Sequence, residues 1–432
     1  MKVELLFGRR GLGLTLPEAA EVDIIEKPAV PVPADPSAVI RDAFASPVGS
    51  PTLAGLARGR SSACILICDI TRPVPNGLFL RPMIETLREG GIPLDRIRVV
   101  VATGLHRPNL GAELEELVGD PWVLENVRVE NHYAENDEDH VDLGTTSTRG
   151  VPIRLDRRFV EADLKIVTGL VEPHFMAGYS GGRKVISPGV AHHETIRTFH
   201  SAKFMEDEAA RVSNLDGNPL HEEQLEIVAR VGPVYALNTV LDHHRNLVFA
   251  NFGEVVESHL DAVAFVRRFT ELPIGHRYST VVTSCAGFPL DLTYYQVVKA
   301  MATPLAILAP GGTLIVAAEC AEGLGSKSFV ECQRRMIAMG PDAYLQSLLA
   351  KRLADIDEWS TEWQLKPRRM ATVLLHAPGL SAEEQALTGV TMVDEMDRAV
   401  ADAIAASGDP RVAVIPEGPY VVPLYQPALA AE

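Results

Sequence analysis

The sequence predicts two α/β domains with mostly parallel sheets, and three observations carry that prediction. At 432 residues the chain exceeds what one hydrophobic core ordinarily holds, so two domains are expected. The continuous apolar run ACILIC (Ala63 to Cys68) has the pattern of a strand buried on both faces, as parallel sheets require, and IRVVVA (Ile97 to Ala102) reads as the next buried strand. Polar loops and helical stretches alternate with these runs, and the alternation restarts at Val281 after a break from Pro273 to Arg277. The expected division is therefore 1–272 and 273–432.

Taken in order, MKVELLFGRRGLGLTL predicts an early hairpin, Val3 to Phe7 and then Gly8 to Leu16. Its G-x-G lacks the third glycine and the strand-to-helix context of a dinucleotide fingerprint. Helices are expected over Pro36 to Phe44, Leu80 to Glu89 (stopped by Gly90-Gly91) and Leu110 to Leu117. Asn131 to Asp142 (NHYAENDEDHVD) is acidic and reads as a solvated excursion, where His132, Asp139 and His140 lack the regular spacing of a metal site. Helices Leu220 to Arg230 and Val255 to Leu272 flank strands Val234 to Leu241 and Leu247 to Phe252, with His243 and His244 on the surface between those strands. In the second domain Val281 to Thr283 begins a strand, and Asp291 is the candidate N-cap of a helix from Thr293 to Leu308. That helix puts Gln296 and Lys299 on one face near its start, where the lysine and the helix dipole would stabilise a carboxylate. A turn at Ala309-Pro-Gly-Gly leads to strand Thr313 to Ala317 and a Gly-rich loop, Glu319 to Ser326; Val373 to His376 and Val412 to Ile415 are later strands.

Composition excludes several classes of function. Hydrophobic residues at 47% and charged residues at 22% are ordinary for a globular protein, but the formal net charge of -17 opposes a nucleic-acid surface or an anionic membrane. No stretch approaches the ~18 apolar residues of a membrane span, and the first residues hold no long apolar h-region, so a cytoplasmic protein is expected. Cys64, Cys68, Cys285, Cys320 and Cys332 form no CxxC pair, and their odd number and wide spacing read as buried thiols rather than a disulfide framework.

Three times a buried strand is followed by residues able to do chemistry. Ala63 to Cys68 leads to Asp69, Thr71 and Arg72; Ile97 to Ala102 leads to His106 and Arg107; a run ending at Ile166-Val167 leads, after Gly169, to Glu172 and His174. Open α/β sheets bind ligands at the carboxyl ends of their strands, so these loops would converge if their strands lie close in one sheet. The third loop continues through Gly178, Ser180, Gly181 and Gly182 to Arg183 and Lys184. Paired glycines present consecutive N–H groups and two cations add charge, which suits an anion such as phosphate. A Walker loop is excluded, because Arg183 and Val185 stand where Gly and Ser or Thr are needed. His192, His193 and His200 follow within the same stretch.

The string EPHFMAGYSGGRK, followed by PG and then a His-Ser pair, resembles the signature of the nickel-dependent lactate racemase family. DITR, TGLHRP and F-P-x-D-x-x-x-Y-Q-x-x-K resemble further family motifs in the same order, so the resemblance spans Asp69 to Lys299. It implies a nickel-pincer nucleotide, the pyridinium-3-thioamide-5-thiocarboxylic acid mononucleotide, bound covalently through Lys184 with Ser180, Gly181, Gly182 and Arg183 around it and His200 as a nickel ligand. It also implies catalytic roles for His106 and His174, and substrate contacts from Asp69, Thr71, Arg72, Tyr295, Gln296, Lys299 and Trp359, with Trp363 the competing tryptophan. Residues 1–272 would then carry cofactor and catalytic histidines, and 273–432 the substrate-binding helix, with an active-site cleft between them. Cofactor-biosynthesis proteins are implied as partners. Leu105 departs from the pattern, where relatives often carry Thr, and points to a different pocket.

The implied reaction inverts C2 of a 2-hydroxy acid, whether lactate-like, malate or a sugar acid. A carbon beside an ionised carboxylate is barely acidic, so hydride transfer to an electron-poor ring, coupled to loss of the hydroxyl proton, avoids a carbanion. Two imidazoles on opposite sides would serve the two enantiomers, and Arg72 and Lys299 would clamp the carboxylate. Two other readings stay open on the residues alone: a pyridoxal-phosphate-type enzyme with Lys184 as Schiff base, or a non-catalytic protein binding a phosphorylated metabolite. The oligomeric state is open.

Overall fold

The computed structural model describes residues 1–242 and 244–427. His243 and the last residues of the Pro- and Ala-rich tail lie outside the described part. The chain divides into two compact units: a terminal unit of 1–28, 200–208 and 269–432, and a central unit of 29–199 and 209–268. Residues 1–28 stand in the same unit as 269–432. In chain order the strands are β1 (Lys2–Leu5), β2 (Leu12–Thr15), β3 (Glu21–Ile24), β4 (Ala63–Cys68), β5 (Ile97–Ala102), β6 (Arg128–Asn131), β7 (His140–Thr145), β8 (Pro152–Asp156), β9 (Leu164–Leu170) and β10 (Pro173–His174). They continue as β11 (Gly178–Tyr179), β12 (Tyr235–Leu241), β13 (Leu247–Glu254), β14 (Glu271–Ile274), β15 (Tyr278–Ser284), β16 (Leu308–Ala317), β17 (Thr372–His376), β18 (Thr391–Met392), β19 (Arg411–Ile415) and β20 (Val422–Tyr425).

The central unit is built on a six-stranded sheet ordered β13-β12-β9-β4-β5-β6. The pairings β12–β9, β9–β4, β4–β5 and β5–β6 are parallel, and only the edge strand β13 runs antiparallel. β4 is buried on both faces, as its unbroken apolar run predicts, and so is β5 except at Arg98, which bonds Glu130 at 3.3 Å. Ile65, Ile67, Val99 and Val101 pack against Phe79, Leu80, Met83, Ile84 and Leu87 of the helix Asn76–Glu89. Each such side chain contributes roughly 1.5–3 kcal/mol by leaving water, so Leu87→Ala would cost about 2–5 kcal/mol. The helix Pro219–Val231 starts where Asn218 accepts the N–H groups of Leu220 and His221; the Asn218 amide also donates to the Met176 carbonyl at 3.0 Å, tying this cap to the loop after β10.

The terminal unit holds a second six-stranded sheet, β18-β17-β16-β15-β19-β3, parallel throughout. β3 extends this sheet beside β19, and the β1–β2 hairpin packs with β16, β19 and the helix Met396–Ser407. Those contacts are why residues 1–28 belong here. The helix expected from Thr293 to Leu308 runs only from Tyr294 to Ala302, followed by a 3-10 turn containing Pro304, which lacks the N–H and whose ring crowds the carbonyl four residues back. Asp291 is not its N-cap, a position held by Thr293. The Asp291 carboxylate instead accepts the backbone N–H groups of Gly8 at 2.7 Å and Glu319 at 3.1 Å.

The segment 131–142 is solvated in its acidic middle, where Glu135, Asn136, Asp137 and Glu138 are exposed, but its histidines are not. His132 and His140 are buried, and the rings of His132, His140 and His192 meet edge-on at 5.1 and 5.0 Å. His132 Nδ1 faces Asp156 at 3.1 Å and its Nε2 the Ala191 carbonyl at 3.0 Å. The exposed acidic residues between His132 and His140 mask in sequence the burial of the two imidazoles, whose carboxylate partner, Asp156, lies outside the segment. Among the described residues no group of three or more His, Cys, Asp or Glu is placed to hold a metal ion, no helix is long and apolar enough to cross a membrane, and the five cysteines are free thiols.

Candidate active site

β9, β4 and β5 are neighbours in one parallel sheet, so their carboxyl ends share a rim. The loop after β4 joins the other two. Asp69 is buried, and its Oδ2 lies 2.6 Å from His106 Nδ1 while its Oδ1 accepts the Thr71 hydroxyl at 2.5 Å. Three residues on, Arg72 Nε stands 3.6 Å from a Glu172 carboxylate oxygen, linking the β4 loop to the β9 loop. Gly104 N–H donates to the Gly189 carbonyl at 2.9 Å, which pins the β5 loop to the stretch after Lys184.

Burial pushes the Asp69 carboxyl up, but the bond from His106, its charge, the Thr71 hydroxyl and Arg72 outweigh it and hold the pKa below the ordinary value. Asp69 is therefore an anion at neutral pH. His106 Nδ1–H donates to it, which leaves Nε2 as the nitrogen with a lone pair, on a side chain that is 58% exposed. Arg107, paired with His106 in the sequence reading, turns away: its guanidinium forks onto Glu113 with two bonds of 2.7 Å.

His174 is set the opposite way. It sits on β10, which pairs with β11 in a small hairpin. Its Nδ1 accepts the N–H groups of Met176 at 3.4 Å and Ala177 at 3.3 Å, so in the neutral ring the hydrogen is on Nε2. One rim thus carries an imidazole with a free basic nitrogen and one with a donor N–H.

The glycine turn is held from behind. Ser180 Oγ donates to the Leu170 carbonyl at 2.7 Å and accepts Glu172 N–H at 3.0 Å. Gly181 and Gly182 have positive φ; a Cβ on Gly181 would come within 2.7 Å of Val171, and one on Gly182 within 2.9 Å of the His259 ring. Glycine is demanded here by packing against the protein itself. Lys184 is half-buried, whereas Arg183 is buried and bonds the Ala177 carbonyl at 2.9 Å and His259 Nε2 at 3.1 Å. Sequence reasoning missed His259, which is 76 residues from Arg183 and sits alone on the helix Val255–Thr270 with no local motif to mark it.

In the terminal unit, the His200 ring lies 5.0 Å from the ring of Trp359, whose indole N–H donates to the Tyr295 hydroxyl at 3.2 Å. Tyr295, Gln296 and Lys299 share the helix Tyr294–Ala302, and Gln296 Oε1 is buried with no hydrogen-bond partner. Trp363 is occupied elsewhere: its N–H points to the Met205 sulfur at 3.2 Å and Lys366 covers its ring. Trp359 is therefore the tryptophan beside His200 and Tyr295.

Residues 7–213 match the family described as Lactate racemase N-terminal domain, and residues 276–422 the Lactate racemase C-terminal domain. The chain is 31% identical over 386 residues to the lactate racemase of Lactiplantibacillus plantarum, covering 87% of this chain and 88% of that protein. It belongs to the lactate racemase family. The lactate racemase of Thermoanaerobacterium thermosaccharolyticum is 29% identical over 427 residues, covering 97% of this chain and 98% of that one. The structure of the lactate racemase apoprotein from the same organism superposes with a TM-score of 0.90 at 27% identity, over 98% of this chain and 100% of that chain. A protein from Thermotoga maritima shares the fold at a TM-score of 0.63 and 17% identity, over 87% of this chain and 97% of that chain. Family membership makes this chain an enzyme, a racemase of the isomerase class, which sets aside the non-catalytic reading.

Proposed function

We propose that this racemase inverts C2 of a 2-hydroxy acid of the lactate type, with His106 and His174 as its two acid/base groups. The observation that carries the reading is the β9-β4-β5 order, which sets Asp69, Arg72, His106, Glu172 and His174 on neighbouring strand ends. A hydroxyl proton would pass to His106 Nε2, on a ring whose orientation the Asp69 carboxylate fixes through Nδ1; a substrate of opposite hand would use His174. Thr71 fixes Asp69 and through it the ring. Arg72 and Lys299 are proposed to hold the substrate carboxylate, Arg72 as a planar fork and Lys299 as a point charge. Gln296, whose carbonyl oxygen is buried and unpartnered, would accept a substrate hydroxyl. Tyr295 and Trp359 would pack on its apolar part.

The cofactor belongs to this proposal. Lys184 on the glycine turn fits a covalent attachment point, and His200 supplies one nitrogen, so nickel would need its other donors from the cofactor's sulfur and carbon atoms. Arg183 and Ser180 hold the turn itself. When bound, the nickel-pincer nucleotide would supply an acceptor for the C2 hydride, leaving a planar 2-keto acid that can be reduced on either face. Leu105, half-buried beside His106, is placed to shape substrate preference among lactate, malate and longer acids.

The decisive experiment incubates protein with nickel verified as bound with a panel of 2-hydroxy acids and separates products by chiral chromatography. Interconversion of at least one pair with exchange of the C2 hydrogen is expected. A panel in which nothing is isomerised would refute the reading.

A further inference from the structure

Arg183 is the most anomalous charge among the described residues. Its side chain is among the largest fully buried ones, at 1% exposure. Its partners are the Ala177 carbonyl and His259 Nε2, and its own Nε has none; no carboxylate is among them. The contact with His259 is itself compromised, because the same Nε2 lies 2.8 Å from the Ser180 carbonyl. One nitrogen cannot both donate to Ser180 and accept from Arg183. The neighbouring rings are no counter-charge either. Burial, then the charge of Arg183, pushes His221 down to about 3 and His259 well below its ordinary value, so both are neutral at pH 7. Burial pulls Arg183 itself down only to about 9, so it remains a cation.

A buried charge without a partner is costly, and replacing one by an apolar group of similar size is commonly neutral or stabilising. Such a charge is retained where a ligand completes it. Arg183 lies directly between the Gly181-Gly182 turn and Lys184, and His221 Nδ1 nearby is a second buried atom with no partner. We propose that Arg183 is the buried counter-charge for the phosphate of a mononucleotide at this turn, and that His259 positions it. The guanidinium acts through its field and by holding the turn, so that ligand-free protein carries an electrostatic cost which the bound phosphate relieves. This deepens the cofactor reading above and rests on it.

The test uses the full chain purified free of cofactor, with nicotinic acid mononucleotide and inorganic phosphate as probes. Wild type should gain about 4 °C in Tm at roughly a hundredfold excess of mononucleotide over its Kd. Arg183→Met should melt no lower than wild type without ligand, yet lose that gain and bind the mononucleotide at least about tenfold more weakly. Arg183→Lys, which keeps the charge, should keep most of the gain. His259→Ala should weaken binding and His259→Gln, which retains a donor for Ser180, should restore it. The proposal is overturned if wild type shows no gain, if Arg183→Met keeps it or fails to fold without ligand, or if Arg183→Lys behaves as the methionine variant. Racemisation by nickel-loaded wild type is measured separately: turnover without any Arg183 dependence of mononucleotide binding removes this inference alone, and absent turnover removes the reading beneath it.

Discussion

Each of the two sheets has a buried carboxylate in the connection that follows a central strand, and the two are used differently. In the central unit Asp69 follows β4 and spends both oxygens on side chains that titrate or orient, His106 and Thr71. In the terminal unit Asp291 follows β15 and spends one oxygen on the backbone N–H groups of Gly8 and Glu319. Both are buried. Asp69 couples to an imidazole, whereas Asp291 fastens the N-terminal hairpin to its sheet. What separates a chemical rim from a structural one is thus the partner, since a place after a central strand and burial are common to both.

Removing chemistry from the central unit should have the largest effect. Lys184→Ala should yield protein with no covalently held nucleotide by intact mass and no detectable racemisation, while its Tm stays near that of wild type. His106→Ala and His174→Ala should each lower kcat by about 10²–10⁴ with the nucleotide still attached. Because His106 presents a lone pair and His174 an N–H in the resting state, the two variants should differ in which enantiomer they still turn over, which progress curves from each pure enantiomer would show. Equal losses in both directions would break the contrast between the two rings.

Asp69→Asn comes next. The variant keeps the shape but offers His106 an amide, so kcat should fall by about tenfold to a hundredfold with KM little changed. The sign of the pH effect follows from the carboxyl being held below its ordinary value: its contribution to stability is present above about pH 4 and lost as pH falls through the folded value. Wild type should therefore lose more stability than Asp69→Asn on going from pH 6 to pH 3. Parallel acid titrations of Tm would reject the coupling. Asp291→Ala should show the reverse profile, costing about 1–3 kcal/mol of stability by stranding two partly buried N–H groups while kcat changes less than about twofold.

Much of this rim was legible in the sequence, because its signals are local. ACILIC and IRVVVA give β4 and β5 to the residue, since a run that is apolar throughout, or at all but Arg98, fits a strand buried on both faces. β9 was legible only at Ile166-Val167; it runs on to Leu170 through Gly169, a residue that reads as a break yet lies in the ladder where Gly181 approaches it closely. The neighbourhood of the three strands was not legible, because strand order is set by long-range pairing. For the same reason the placement of β3 beside β19 and the partnership of Arg183 with His259 left no trace in spacing. Arg183 itself read as a ligand-facing cation, since a sequence shows the charge of a side chain and not the direction it takes.

Arg107 sharpens the comparison from its weak end. In the sequence it stands beside His106 in the same strand-end loop and carries the charge that a carboxylate substrate would seek. In the fold its fork is closed on Glu113, with two bonds of 2.7 Å, and Asn109 donates to the same carboxylate at 2.9 Å. The bond from Arg107, then that from Asn109, holds the Glu113 carboxyl down to about 2, so the pair stays ionised through the working pH range. Arg107 is nonetheless 71% exposed, and solvent screens a surface pair. Arg107→Ala should thus change stability by less than about 1 kcal/mol and leave kcat within about twofold of wild type. A loss approaching that of His106→Ala would mean that Arg107 leaves Glu113 when substrate arrives, and the distinction drawn here, that partner and not position marks a catalytic group, would fail at the residue where it is easiest to check.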